Sequence, residues 1–205
     1  MKGLDAGVVL TPEQEAEARR LAELILTKAR EEVLAVARIM VSSRIGSFWA
    51  KANFQCARRT HRLAAHALET AVNERKKGYQ GSSMSCPHCR ESARFVGYRK
   101  KTVVSLVGRL ASVACLYHCS QCSQGQVPWD KTLSLANERL TPAAQEVTSL
   151  AGIQENFGKA ADLTLRKLAG LRLSESTVER TAESAGMRLG RLIKEEDLRP
   201  QKEWA

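Results

Sequence analysis

The middle of the chain carries two Cys-x-x-Cys pairs, Cys86 with Cys89 and Cys119 with Cys122, which are separated by 29 residues. Two residues between cysteines allow a tight turn to bring both thiolates onto one ion. The intervening residues are strand-like but too few to hold a core alone, so metal ligation would supply folding energy. The spacing therefore predicts one structural Zn²⁺ in a closed shell of four thiolates, with no open position for chemistry.

Other uses of these cysteines fit the pattern less well. A redox Cys-x-x-Cys begins a helix after a strand, whereas these two pairs flank strand-like sequence. Disulfides require an oxidising compartment, and the stretch Met1–Leu10 is too short and too polar for a signal peptide. We therefore expect a cytoplasmic protein with reduced thiols.

The remaining cysteines and histidines are not expected to bind the metal. His88 and His118 are sequence neighbours of the ligands, but four thiolates already satisfy zinc, so we expect both imidazoles to be exposed. Cys56 and Cys115 lie on apolar faces and are predicted to be small core residues. No role is assigned to the other two histidines, His61 and His66.

The chain is basic, with a net charge of +10 over 205 residues. Such an excess favours polyanionic partners, above all nucleic acid and less often an anionic membrane surface. No run of about 18 apolar residues occurs, which argues against a membrane-spanning helix. From Lys51 to Arg109 there are thirteen lysines and arginines against three glutamates. A basic helix beside a basic ribbon would form a track for phosphates.

The N-terminal residues 1–80 predict an antiparallel helical hairpin. Thr11-Pro12 is a helix start, and apolar residues at helical spacing continue to about Ser43. Ser42–Ser47 interrupts the pattern, and a second helix follows with Gly78 as its C-cap. The hairpin is either an arm for dimerisation or partner binding, or a layer packed against the rest of the chain.

Residues 84–130 predict a zinc ribbon. Gly81-Ser82-Ser83 resembles a linker, and the β-branched and aromatic residues of Ala93–Tyr117 predict three short strands, the last two forming a hairpin around Gly108. The ribbon's own small core is expected from its aromatic residues, Phe95, Tyr98 and Tyr117.

Residues 138–198 predict a helical region, because helical periodicity returns after Trp129 and continues to about Asp197. A helix over Phe157–Ala169, a turn with Gly170 and a helix capped by Ser174 have the outline of a helix-turn-helix. An ordinary helical hairpin with a charged face is the other interpretation. The whole chain is thus predicted to be mostly α with a small β zinc ribbon.

The helix-turn-helix interpretation assigns contacts to double-stranded DNA. Glu175, Ser176, Glu179 and Arg180 would face outward into a major groove, although the two glutamates would repel phosphate. Nearby basic residues would contact phosphates without reading sequence. Together with the ribbon, the predicted DNA-binding residues are Arg99, Lys100, Lys101, Lys159, Arg166, Lys167, Arg172, Ser174, Ser176, Thr177 and Arg180.

Several segments also resemble the N-terminal part of Kra-type bacterial insertion-sequence transposases, over about Cys86 to Ile193. Both cysteine pairs and the turn-helix segment Ala169–Arg180 belong to this resemblance. So do Gly125–Asp130, Leu140-Thr-Pro and Ala151–Phe157. Trp129 departs from the family's pattern, which has a smaller apolar residue there.

The resemblance implies recognition of transposon-end DNA by a zinc ribbon and a helix-turn-helix, followed in such proteins by a ribonuclease H-like catalytic domain. The sequence ends at Ala205 before any such domain, and Asp130, Asp162 and Asp197 are scattered singly. We therefore expect the DNA-recognition portion, or a truncated remnant, of a transposase that is not itself an enzyme, with a second copy of the chain as a candidate partner in a homodimer. The alternatives are a zinc-ribbon transcriptional regulator and a protein-interaction module scaffolded by zinc.

Overall fold

The computed structural model describes residues 9–42, 48–75, 77–136 and 138–194. These residues are mostly helical, with one small antiparallel sheet in the middle of the chain, as the sequence predicted. The chain divides into two compact units. The first unit is Met1–Thr102 with Leu110–Trp129, and the second is Val103–Arg109 with Asp130–Ala205. Among the described residues, no helix has the length and apolar content needed to cross a membrane.

The first unit begins with a helical hairpin of α1 (Pro12–Ser42) and α2 (Phe48–Asn73). A reciprocal cap fixes the start of α1, because the Thr11 hydroxyl accepts from the Gln14 N–H at 3.2 Å and the Gln14 side chain accepts from the Thr11 N–H at 2.9 Å. The predicted helix break covers residues 42–47, and all of it except Ser42 lies outside the described residues.

The two helices run antiparallel, and ion pairs join them at two levels. Arg20 of α1 pairs with Glu74, just beyond α2, at 2.8 Å, and Glu32 pairs with Arg59 at 2.9 Å. Ala29 is buried between these levels. Other large apolar side chains of α1 stay exposed, namely Leu24, Leu26, Val33, Leu34, Met40 and Val41. The hairpin therefore packs within the chain on one face and leaves a second apolar stripe open.

The sheet contains four strands in the order β1-β2-β3-β4. Their bounds are β1 Ser83–Ser85, β2 Ser92–Ser105, β3 Gly108–Cys119 and β4 Gly125–Gln126. The hairpin at Gly108 was predicted correctly, but the expected three short strands were wrong, because two long strands fill this region. β2 continues through Gly97, which has φ of 138° and no neighbouring atom within 4 Å of an added Cβ. This glycine therefore does not end the strand.

The outer edge of β3 is closed by polar side chains of α2. The Glu69 carboxylate accepts from the Ala111 N–H at 2.8 Å, and the Asn73 amide donates to the Ala111 carbonyl at 2.6 Å. The side-chain oxygen Oδ1 of Asn73 also accepts from the Val113 N–H at 2.8 Å. β4 pairs only with Tyr117 and His118, so these contacts supply partners that no strand offers.

We expect Asn73→Ala to destabilise the first unit by about 1 to 3 kcal/mol, because a backbone N–H and a carbonyl lose their partners. Urea denaturation measures the change in the free energy of unfolding. Asn53→Ala is the matched control, since Asn53 is exposed on the same helix. Equal midpoints for the two variants would contradict the proposed edge closure.

The segment predicted as a linker is instead bound to the sheet. The Tyr117 hydroxyl donates to the Gly81 carbonyl at 2.9 Å and accepts from the Gln80 N–H at 2.8 Å. The Phe95 N–H donates to the Ser82 carbonyl at 2.9 Å. α2 also ends at Asn73, so the Gly78 C-cap prediction was wrong; the glycine lies in the turn beyond.

The expected aromatic core of the ribbon is present in part. Tyr117 is fully buried, and Phe95 contacts it edge-on with ring centroids 5.8 Å apart. Tyr98 also contacts Phe95 edge-on, but it is mostly exposed. Tyr117 is therefore the one ring of the three that is fully buried, and cysteine side chains make up much of the remaining buried cluster.

After the sheet, the chain is helical. The elements are α3 (Pro128–Thr132), α4 (Pro142–Gln154), α5 (Phe157–Lys159), a π-helix (Ala160–Leu168) and α6 (Glu175–Lys194). Thr141 caps α4 and Asn156 caps α5 through their side chains. The predicted helix over Phe157–Ala169 is present, but most of it is π-helical. The predicted end near Asp197 lies outside the described residues.

The core of the second unit lies where α4, the π-helix and α6 meet. Its fully or nearly fully buried members are Ala151, Ala160, Ala161, Leu165, Leu171 and Val178. The Val104 N–H donates to the Arg139 carbonyl at 2.7 Å, and Val104 accepts from the Thr141 N–H at 2.9 Å. The tip of the β2–β3 hairpin therefore belongs to this unit together with the start of α4.

Candidate metal centre

Each cysteine pair occupies a turn between two strands. Cys86 follows β1 and donates its backbone N–H to the Glu91 carbonyl at 2.7 Å. Cys119 ends β3 and donates to the Gln124 carbonyl at 3.0 Å. The residue after the second cysteine of each pair is left-handed, with φ of 64° at Arg90 and 56° at Ser123. The two turns thus have matching geometry, which aims both thiols of each pair toward one point.

The four sulfurs converge. The Cys86 and Cys122 sulfurs lie 3.6 Å apart, the Cys89 and Cys119 sulfurs lie 3.5 Å apart, and all four lie within 4.8 Å of one another. A tetrahedral ion with metal–sulfur distances of about 2.3 Å requires sulfurs about 3.8 Å apart. None of the cysteines forms a disulfide. The group therefore has the size of a four-thiolate metal site.

Backbone N–H groups and burial shift the pKa values of the site thiols in opposite directions. The backbone N–H groups of Cys89 and His88 lower the pKa of the Cys86 thiol to about 6. The Glu91 N–H lowers the pKa of Cys89, but burial and the neighbouring sulfurs outweigh it and raise that pKa to about 12. Burial also raises the pKa of Cys122. Four thiolates this close repel one another, and a metal ion removes that repulsion.

The site is largely enclosed. Cys86 and Cys119 are fully buried, and Cys89 and Cys122 are half-buried. Gln126 of β4 is also buried, and its side-chain amide donates to the Cys86 sulfur at 4.0 Å. We did not predict this glutamine as a site residue, because a lone glutamine in a short strand gives no metal-binding signal. Its contact would orient the ligand and stabilise its negative charge.

The other cysteines and histidines lie outside the sulfur group. His88 and His118 are exposed, as expected, and neither belongs to the cluster of potential ligands. Cys115 is fully buried next to the site, where burial raises the pKa of its thiol, and Cys56 is half-buried on α2. The four sulfurs leave no ligand position for a substrate, so the arrangement suits a structural ion.

The predicted DNA-binding residues lie in separate parts of the chain. Arg99 and Lys100 are exposed on β2, and Lys101 is half-buried beside them. In the second unit, four of the predicted basic residues are also exposed, namely Lys159, Arg166, Lys167 and Arg172. Arg166 lies 3.7 Å from the Asp162 carboxylate, an exposed pair that contributes little stability.

The residues predicted at the start of the last helix surround the first turn of α6. The Ser174 carbonyl accepts from the Thr177 N–H at 2.9 Å, and the Ser174 hydroxyl lies 2.8 Å from the Thr177 hydroxyl. Ser176 is exposed, and its carbonyl accepts from the Arg180 guanidinium at 3.0 Å. Arg180 therefore lies along the helix surface, held by its own helix.

No protein-family model matches the chain, and no curated protein matches it.

Proposed function

We propose that this chain binds double-stranded DNA, with the second unit as the reading element and the ribbon as a metal-stabilised basic platform. In this proposal it is the DNA-recognition portion of an insertion-sequence transposase. The net charge of +10 supports a polyanionic partner. The segments that resemble such transposases include both the cysteine turns and the turn before α6.

The arrangement of three helices around one core carries the proposal. α4 and α6 pack on each other and on the helix formed by α5 and the π-helix. The turn from Ala169 to Ser174 contains Gly170 at φ 70° and the fully buried Leu171. A helix, a short glycine-containing turn and a second helix with polar side chains at its start form the supersecondary unit that places a helix in a major groove.

We propose Zn²⁺ as the ion held by the four cysteines. Four sulfur ligands in a tetrahedral arrangement are typical of structural zinc, which has no geometric preference of its own and takes no part in redox chemistry. The ion would hold the two turns together and thereby fix β2, which carries Arg99 and Lys100 on its exposed surface. Its contribution to DNA binding is thus indirect, through the ribbon's structure.

We expect the purified chain to shift a mixed-sequence DNA duplex at low salt. With six or more phosphate contacts, the binding constant should fall by at least about a thousandfold between 50 and 200 mM salt. Fluorescence anisotropy of a labelled duplex across a salt series measures this. An absence of binding even at the lowest salt would refute the proposal and favour a protein-interaction module.

Selection from random duplexes then separates the two DNA-binding alternatives. A transcriptional regulator is expected to select a palindromic operator, because a symmetric dimer reads two half-sites. A transposase is expected to select sequence matching the ends of a mobile element. Enrichment of a palindrome that occurs upstream of genes would overturn the transposase proposal while leaving DNA binding intact.

A further inference from the structure

The exposed surface of α6 is divided by charge. Glutamates recur every four residues along one face, at Glu175, Glu179 and Glu183, and all three are exposed. A separate face carries exposed arginines at Arg180 and Arg188. At about 100° of rotation per residue, these two faces point in clearly different directions. The buried Val178 lies on a third face, which packs into the core of the second unit. Only the arginine face is suited to a polyanion.

The arginine face lines a cleft. Five residues of α6 border a cavity of about 600 Å³, whose other wall is formed by residues 138–145 just before and within the start of α4. That wall contributes Arg139, which is exposed, and the Gln145 side chain, which donates to the Leu140 carbonyl at 3.1 Å. Two stretches of the second unit that are far apart in sequence thus bring arginines to one concave surface.

The chemistry of the lining matches phosphate oxygens. Arg139, Arg180 and Arg188 supply guanidinium donors, and Thr177 and Ser184 add hydroxyl groups between them. Within the part of the chain that the structure describes, no carboxylate lies within ion-pair distance of these arginines. Glu138 also borders the cleft and is the one acidic group in its described lining.

We propose that this cleft binds the phosphodiester backbone of duplex DNA, and that the arginine face of α6, not its glutamate face, is turned toward the DNA. This inference rests on the proposed function and changes which face of α6 is assigned to the DNA. The sequence interpretation placed Glu175 and Glu179 in the groove, where they would repel phosphates. The cleft turns them away from the DNA and adds two contacts, Arg139 and Arg188, that no motif identified.

The test uses the full chain and a labelled mixed-sequence duplex over a salt series. Arg139→Ala and Arg188→Ala are each expected to weaken binding several-fold on all sequences, and the double variant should lower the salt slope by about two. Lysine at both positions should restore most of the affinity, because charge is retained. Arg38→Ala on α1 is the control for loss of one positive charge, and it should leave affinity unchanged.

Glu179→Gln distinguishes the two faces of α6. If the glutamate face points away from the DNA, this variant binds as the wild type does; tighter binding would show that the face is turned toward phosphates and would overturn the inference. Wild-type affinity in the Arg139→Ala, Arg188→Ala double variant would overturn it as well, while DNA binding itself would stand. A wild-type chain that binds no duplex would instead refute the proposed function.

Discussion

Replacing Cys89 with serine is expected to abolish stoichiometric metal binding and to unfold the four-stranded sheet. The sheet's buried cluster consists mainly of the four converging cysteines, Ala93, Cys115 and Tyr117, which is too little apolar surface to stabilise the sheet alone. In small domains of this kind, metal binding supplies on the order of 10 kcal/mol of folding free energy. A hydroxyl is a poor substitute for the thiolate, so most of that contribution is lost.

Elemental analysis and thermal unfolding measure the two consequences. We expect one equivalent of zinc per wild-type chain, little in the Cys89→Ser variant, and a large fall in the unfolding temperature of the wild type when a chelator is added. Cys115→Ala is the control, because Cys115 is a fully buried cysteine next to the site but is not one of the four converging sulfurs. It should retain its zinc.

Three outcomes would contradict these expectations. A wild-type chain that contains no metal and unfolds at the same temperature with and without chelator would exclude a structural ion. A full equivalent of iron would leave the metal site in place but would show that the proposed zinc is wrong. Loss of zinc from Cys115→Ala would show that the neighbouring core, and not the four-sulfur group alone, controls occupancy.

The four-cysteine cluster could be predicted from sequence because its information is local. Each Cys-x-x-Cys spacing fixes the geometry of one turn, and a strand hairpin between them is enough to bring the turns together. Helix starts were predictable for the same reason, since Thr11 and Thr141 satisfy the first backbone N–H groups from within three residues. Such signals depend only on neighbours in the chain.

Contacts between distant segments could not be read from the sequence. Glu69 and Asn73 appear as ordinary polar helix residues, yet the unpaired edge of β3, 38 to 42 residues away, decides their role. Three short strands were expected in this region because glycine usually interrupts a strand, but β2 runs through Gly97. The cleft arginine Arg139 lies in an irregular segment, and only folding brings it opposite α6.

Substitution of Gly78 by alanine is expected to destabilise the first unit by about 2 to 5 kcal/mol, the sum of a left-handed backbone penalty and a steric collision. Gly78 has φ of 75°, and an added Cβ would lie 2.8 Å from the Trp129 backbone nitrogen and 2.9 Å from its Cβ. These atoms belong to the backbone or are fixed to it, so no side-chain rotation relieves the contact. The Lys77 carbonyl beside it accepts from the Cys115 N–H at 2.9 Å, so displacement of this turn would also disturb β3.

Gly81→Ala separates the two contributions. Gly81 also has a left-handed backbone, with φ of 98°, but the nearest atom to an added Cβ is the Ser83 carbonyl oxygen at 3.9 Å. The variant therefore bears conformational strain without a collision. Urea denaturation of both variants should show the larger loss for Gly78→Ala, and equal losses would mean that the approach of Trp129 contributes nothing.

A double-mutant cycle with Trp129→Ala tests which part of the tryptophan is responsible. Trp129 is nearly buried, so its truncation alone will cost stability through lost packing. The backbone nitrogen and Cβ remain in alanine, however, so the added cost of Gly78→Ala should be nearly the same in both backgrounds. If that cost largely disappeared when the indole was removed, the ring and not the backbone would be what requires glycine at position 78.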